Sequence, residues 1–368
     1  MRRRTFLGIT TGAVAAATTL TGRAASAAPS ATGGDLAAVG DLAASGPACH
    51  VIVAGDGSGD FAGIQEAVDA APVASGSPFV IGVRPGTYMG RVVIGADWPP
   101  INLVGLGRRP HDVVIADDRA NGTPNPAGGT WGTTGSASVT VDGADFRAHN
   151  LTFANLFDEA AHPEITNRQA VAVLTRGDRA AFSRVRFLGN QDTLYANSAA
   201  ATTIARAYFR ECYIEGDVDF IFGRATAVFD RCRVHSLNRG SNPNGYVTAP
   251  STDITNPHGF LFARCTFTSD APPATVFLGR PWHPSQDPNA IGQTVIRDSR
   301  MDAHIGPTPW SDFGTWPWRD ARFAEYRNYG PGAIASPDRP QLTPTEASTQ
   351  TIPAFLRGPD NWSPDRHL

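Results

Sequence analysis

Apolar and polar positions along the chain return in one short pattern. A four-residue unit, mostly apolar at its second and fourth positions and mostly polar at its first and third, recurs six times. It reads Asn150-Leu151-Thr152-Phe153, Arg184-Val185-Arg186-Phe187, Glu211-Cys212-Tyr213-Ile214, Arg231-Cys232-Arg233-Val234, Arg264-Cys265-Thr266-Phe267 and Asp298-Ser299-Arg300-Met301. Alternation with a period of two predicts a half-buried strand. The units start 34, 27, 20, 33 and 34 residues apart. Intervals of that size suit one coil of a parallel β-helix, with corner loops of varying length. Between the units the chain is again rich in β-formers, at 170–174, 225–229, 260–262, 275–278 and 294–296. A β-sandwich also has short strands, but it does not need one register to return so regularly. We therefore expect an all-β, single-stranded parallel β-helix over 49–330.

The ends differ from this pattern. Ile64, Ala67, Val68 and Ala71 are spaced as one face of a helix, and Pro72 ends it. A short helix there would cap the open N-terminal coil. From 331 to 368 the chain is Pro-rich, and an irregular tail packed on the outside of the coils is expected. Residues 1–27 read as a twin-arginine export signal: Arg2-Arg3-Arg4-Thr5-Phe6-Leu7, an alanine-rich apolar run, then Ala25-Ser26-Ala27 as a cleavage site. Residues 28–48 read as a flexible linker.

Composition narrows the chemistry. All basic charge is arginine, since no lysine occurs in the 368 residues. This excludes Schiff-base catalysis and a lysine-bearing phosphate loop. Cleavage after Ala27 removes four arginines and no acid, moving the formal charge from -3 to -7. Such a chain is a poor nucleic-acid binder. No Gly-x-Ser-x-Gly elbow, metal-spaced histidine set or complete calcium loop occurs, and no cofactor or metal is expected. Cys212, Cys232 and Cys265 share the second position of successive units. Stacked coils bring such residues about 4.8 Å apart, within disulfide range, and Cys212–Cys232 closes the shortest loop. Buried free thiols in an internal ladder are the alternative.

Candidate chemistry follows from the same count. Asp192 lies eight residues after Arg184, and Asp219 eight after Glu211. Two carboxylates at one offset in adjacent coils are near neighbours, and their mutual repulsion raises one pKa, separating an acid from a base or nucleophile. Asp158 shares the offset from Asn150, so the offset alone does not make a site. The flanking residues add to it: Gly189-Asn190-Gln191-Asp192-Thr193-Leu194-Tyr195, Gly216-Asp217-Val218-Asp219-Phe220-Ile221-Phe222-Gly223 and Leu278-Gly279-Arg280-Pro281-Trp282.

These three segments resemble the signatures of the pectinesterase family, of the bacterial exported type. Further similarity runs in order from Gly55–Phe61 through Gln169–Ala172 to Phe323–Tyr326, Gly330–Ala333 and the 342–356 tail. The resemblance implies a right-handed parallel β-helix and removal of methyl esters from pectin, giving pectate and methanol through an aspartyl acyl-enzyme. It implies Asp219 as nucleophile, Asp192 as general acid and base, Gln169 and Gln191 as oxyanion donors, and Arg280 as the group that orients Asp219. Trp282, Tyr195, Phe222 and Thr133 would join Gln169 and Arg280 in binding substrate. Asp217 is the local competitor for nucleophile. Gly90 stands where the family usually has glutamate, and Asn190 where an aromatic is common. Segments 124–129 and 310–318 match nothing in the family pattern, and we read them as loops walling a groove. The expected protein is secreted, monomeric and free of membrane and nucleic acid. Rival readings from the residues are a polygalacturonase or pectate lyase, a related acyl thioesterase, and a non-catalytic polysaccharide-binding β-helix.

Overall fold

The structure, a computed structural model, describes residues 48–73 and 75–364. The export signal, and the linker apart from Ala48, lie outside the described residues. Within them the chain winds through three parallel sheets of ten, eight and seven strands, here sheets I, II and III. One coil runs from Val173–Thr175 in sheet III to Ala180–Ser183 in sheet I and Arg186–Leu188 in sheet II; the next begins at Leu194–Ala196 in sheet III. This is the expected right-handed parallel β-helix, the hand that crossovers between parallel strands adopt. Among the described residues no helix is long and apolar enough to cross a membrane.

The repeating unit is a corner followed by a strand, not a strand throughout. Its first residue is left-handed in every case: Asn150, Arg184, Glu211, Arg231, Arg264 and Asp298 have φ between 50° and 58°. The strand of sheet II starts at the third residue, as in Thr152–Asn155 and Tyr213–Gly216. The second residue points into the core at 0–2% exposure, from Leu151 to Ser299. Non-glycine residues at φ above zero cost about 1–2 kcal/mol each, and core burial of the next side chain offsets that cost. A seventh corner, Arg327-Asn328, has φ 52° at Arg327. Its second residue is polar and donates from Nδ2 to Ile296 O at 3.0 Å, which hides it from a search for apolar positions.

The expected Cys212–Cys232 disulfide does not form: Cys212, Cys232 and Cys265 are free thiols in a buried ladder. In-register stacking makes their Cα–Cβ bonds parallel, whereas a disulfide needs Cβ atoms that converge to about 3.8 Å. Each Sγ lies instead against backbone carbonyls: Cys212 against Phe182 O (3.5 Å), Cys232 against Phe209 O (3.3 Å) and Cys265 against Phe229 O (3.2 Å).

Beside the thiols runs an aromatic ladder. Phe182, Phe209, Phe229 and Phe262 stack face to face at 4.8, 4.7 and 4.3 Å, tilted by 10° or less. Ile64–Asp69 forms the predicted capping helix and buries Ile64, Ala67 and Val68. Gln65 ties it to the coils, accepting from Val93 N at 2.7 Å. Gly90 has φ 118°, a conformation that suits glycine and disfavours the family's glutamate. The tail is more ordered than expected. It carries helices Pro344–Thr349 and Ile352–Leu356, the first closed by a Thr343–Glu346 capping box. Phe355 and Leu356 pack on Tyr208, Val228, Leu261 and Val295 of sheet I.

Phe209 is fully buried and stacked on both faces. We predict that Phe209→Ala lowers stability by about 3–5 kcal/mol. Chemical denaturation checks it; a loss under 1 kcal/mol would mean that the ladder repacks.

Candidate active site

Two features of the coil register build the site. Leu194 pairs with Ile221 and Tyr195 with Phe222, so Asp192 and Asp219 occupy the same position of adjacent coils, about one strand spacing of 4.8 Å apart. Asp192 N donates to Val218 O at 3.1 Å across that step. Both aspartates are left-handed, with φ 67° and 51°, which turns their carboxylates out of the strand line. Past Asp219 the register to the following strand shifts between Val218 and Ile221. Asp158, at the same offset, sits apart on an exposed loop and accepts from Ala160 N and Ala161 N. It is the turn aspartate that offset alone could not distinguish.

Arg280 holds Asp219 with both prongs, Nε to Oδ1 at 2.9 Å and Nη2 to Oδ2 at 2.6 Å. Its guanidinium is clamped between the Tyr246 and Phe313 rings, 3.8 and 4.5 Å from their centroids. This fixes the direction from which Asp219 is held. Neither ring was singled out in the sequence. Tyr246 pairs with Val218, so counting one coil beyond Asp219 could have found it. Phe313 comes from the 310–318 segment, in a tight loop where Phe313 and Trp316 exchange backbone hydrogen bonds. That segment only partly walls the site, because Trp310 is buried in the core against Phe323.

The two carboxylates are electrostatically unequal. Burial pushes the Asp192 carboxyl well above the usual range, and the neighbouring Asp219 charge pushes it further. Burial also raises Asp219, but the direct Arg280 pair opposes that rise. Of the two, Asp192 is therefore shifted further towards the protonated form. The Gln191 side chain hydrogen-bonds Asp192. Gln169 stands one coil earlier, beside Ala170, whose N donates to Gln191 O at 3.1 Å. The Gln169 Oε1 is buried without a hydrogen-bond partner.

An apolar wall adjoins the pair. Tyr195 and Phe222 stack at 4.0 Å, and Trp282 meets them edge-on at 6.0 and 5.6 Å. Both stacked rings are nearly buried, and Trp282 is half-exposed. Thr133 lies in the short helix Gly132–Gly135, and its hydroxyl accepts from Asn121 Nδ2 at 2.9 Å.

Asp217 is a third buried acid. Burial pushes its carboxyl up to about 6; Arg239 opposes the rise, while Glu159 and Asp219 add to it. It accepts from Val218 N at 2.6 Å and lies 3.7 Å from Arg239 Nε. A folded-state pKa above the unfolded value of about 3.9 means that the native state binds more protons between pH 4 and 6, and stability falls as pH rises through that window. We predict that Asp217→Asn stabilises the protein at pH 7 by about 2 kcal/mol, with the gain vanishing near pH 4. Denaturation midpoints at both pH values check this; an equal effect at both would remove ionisation as the cause.

The sequence matches the Pectinesterase family profile over residues 50–356. Pectinesterase A of Dickeya chrysanthemi is 39% identical over 341 residues, which span 83% of this chain and 88% of that one. Among solved structures, a pectin methylesterase in complex with a hexasaccharide superposes with a TM-score of 0.78 at 35% identity, covering 87% of this chain and 99% of that one. The carrot pectin methylesterase gives 0.74 at 29% identity, over 88% and 98% of the two chains. A paired aspartate dyad on one face of a parallel β-helix and this breadth of similarity lead to one conclusion: the chain belongs to the pectinesterase family.

Proposed function

We propose that the chain hydrolyses the methyl esters of pectin through a covalent intermediate on Asp219. The observation that carries this reading is the unequal pair: an Asp219 carboxylate locked by Arg280, one coil from a buried Asp192 shifted further towards the protonated form. The Asp219 oxygen attacks the ester carbonyl carbon. Negative charge moves to the carbonyl oxygen, where the side-chain amides of Gln169 and Gln191 donate to it. As the tetrahedral centre collapses, Asp192 gives its proton to the methoxy oxygen and methanol leaves. A mixed anhydride of Asp219 with the galacturonate carboxyl remains. Asp192, now a carboxylate, takes a proton from water as that water attacks the anhydride. Asp219 is released, the new sugar carboxyl loses the water's second proton to solvent and remains as carboxylate, and Asp192 is protonated for the next cycle.

The Tyr195, Phe222 and Trp282 wall gives a sugar ring and its ester methyl an apolar surface, while Arg280 and Thr133 complete the substrate contacts. Asp219 is preferred to Asp217 as nucleophile because Arg280 holds Asp219 with both prongs, whereas Asp217 pairs with Arg239. The enzyme works as a monomer outside the cytoplasm, without membrane attachment, after export on the twin-arginine signal. Cleavage after Ala27 is the expected processing, and N-terminal sequencing of the exported protein checks it: a mature terminus still carrying Arg2 would refute it.

Methanol release from highly methylated pectin is the direct test. We expect the wild-type chain to release methanol without new reducing ends, and Asp219→Asn to lower the rate at least about a thousandfold with folding intact. Reducing ends without methanol would instead identify a chain-cutting enzyme.

A further inference from the structure

The corner between sheets I and II carries a charge pattern that the esterase reaction does not use. Continuing one residue past the register of sheet I stacks Arg184, Glu211, Arg231, Arg264, Asp298 and Arg327 on successive coils. Two residues further on, the strands of sheet II stack Arg186, Tyr213, Arg233, Thr266 and Arg300. The first row has four arginines and two acids, and the second three arginines and no acid. This row of positive charge lies on a chain whose formal net charge is -3. It does not border the active site: each coil passes from sheet III to sheet I to sheet II, so this corner is the one that sheet III does not share.

Part of the charge is compensated. The buried Asp230 holds Arg231 and Arg264, Asp298 faces Arg327, and Asp302 pairs with Arg300. Arg184, Arg186 and Arg233 have no carboxylate partner among the described residues. Arg184 and Arg233 are exposed and Arg186 is half-buried. Arg186 and Arg233 flank the Tyr213 ring, 5.4 and 5.8 Å from its centroid. That stacking holds two flat guanidinium groups in place before any ligand arrives, which lowers the entropy cost of binding.

We infer that this corner is a second binding surface, for the de-esterified, anionic uronate polymer. The inference rests on the pectin reading above. In the second row the guanidinium groups of Arg186, Arg233 and Arg300 recur on every other coil, at steps of about 9.6 Å, twice the strand spacing. A linear uronate carries one carboxylate per sugar along its length, and arginine engages carboxylate with paired hydrogen bonds. A methylated stretch has no charge to offer. The ridge therefore holds demethylated product and keeps the enzyme on a polymer whose remaining esters enter the groove of sheet III.

The test uses the full chain and the triple variant Arg184→Asn, Arg186→Gln, Arg233→Gln. Asparagine tolerates the left-handed corner. Binding to fully de-esterified polygalacturonate is measured across salt concentrations. We expect the variant to bind about tenfold more weakly at low salt, with a flatter salt dependence, and to release methanol from a short methylated oligosaccharide at the wild-type rate. The single Arg233→Gln variant, expected to fall between the two, covers the case in which the triple variant does not fold. Equal binding by wild type and variants would overturn the inference. So would wild-type binding to duplex DNA or anionic phospholipid vesicles without binding to polygalacturonate. A wild-type chain that binds polygalacturonate through the ridge but releases no methanol would refute the esterase reading and leave the ridge standing.

Discussion

In-register stacking of parallel coils is the constraint from which the rest of this molecule follows. Every strand takes its hydrogen bonds from the coils before and after it, so each coil must return to the same positions whatever its loops do in between. Coil lengths vary from 20 to 34 residues, and the variation goes into the loops. The turn from sheet I to sheet II cannot vary. It is made by one left-handed residue followed by one buried side chain, and it recurs from Asn150 to Arg327. The left-handed residues are mostly arginine, asparagine or acid rather than glycine. Local backbone strain is therefore tolerated because the buried neighbour and the ladder bonds on both sides overdetermine the corner.

The same stacking makes the site costly. It places Asp192 against Asp219 with Asp217 close by, all three at 6–7% exposure. Burying acids side by side forfeits stability unless the charge is neutralised or paired. The chain does both, differently for each acid: Asp192 is shifted towards the protonated form, Asp219 is paired with Arg280, and Asp217 is only partly relieved by Arg239. Arg280 is itself flanked by Tyr246 and Phe313, so the ion pair has a fixed geometry. The asymmetry between the two carboxyl groups thus comes from one guanidinium reaching one of two otherwise equivalent positions.

What was legible in the sequence was whatever repeats. The unit exposed the coil, the interval exposed the β-helix, and the offset of eight exposed Asp192 and Asp219. Its limits were equally physical. Alternation could not separate a left-handed corner from a strand residue, because both leave the first position polar. Position two of the unit showed that Cys212 and Cys232 are close, but not that their side chains run parallel; proximity is a property of register, and bonding is a property of direction. The seventh corner was hidden because Asn328 replaces an apolar side chain with hydrogen bonds. Phe313 lies on a loop, where no repeat constrains the sequence. The order in the tail was missed because the Thr343–Glu346 capping box was hidden among its prolines.

A repeat that stacks positions does not care which side chains it stacks. Inside, the rows are phenylalanines and thiols, and they form a dry core. On sheet III one row is carboxylate for two consecutive coils and then stops, which confines catalysis to a single point along the axis. At the corner between sheets I and II guanidinium groups alternate with other side chains over many coils, which spreads positive charge along the axis instead. A linear polymer meets these surfaces differently. The localised pair acts on one sugar at a time, whereas an extended row engages many sugars weakly and without regard to exact register. Chemistry needs the first arrangement, because two acids must face one carbonyl at fixed distance. Retention of a charged chain suits the second, because counterion release adds up over contacts that need not be individually strong.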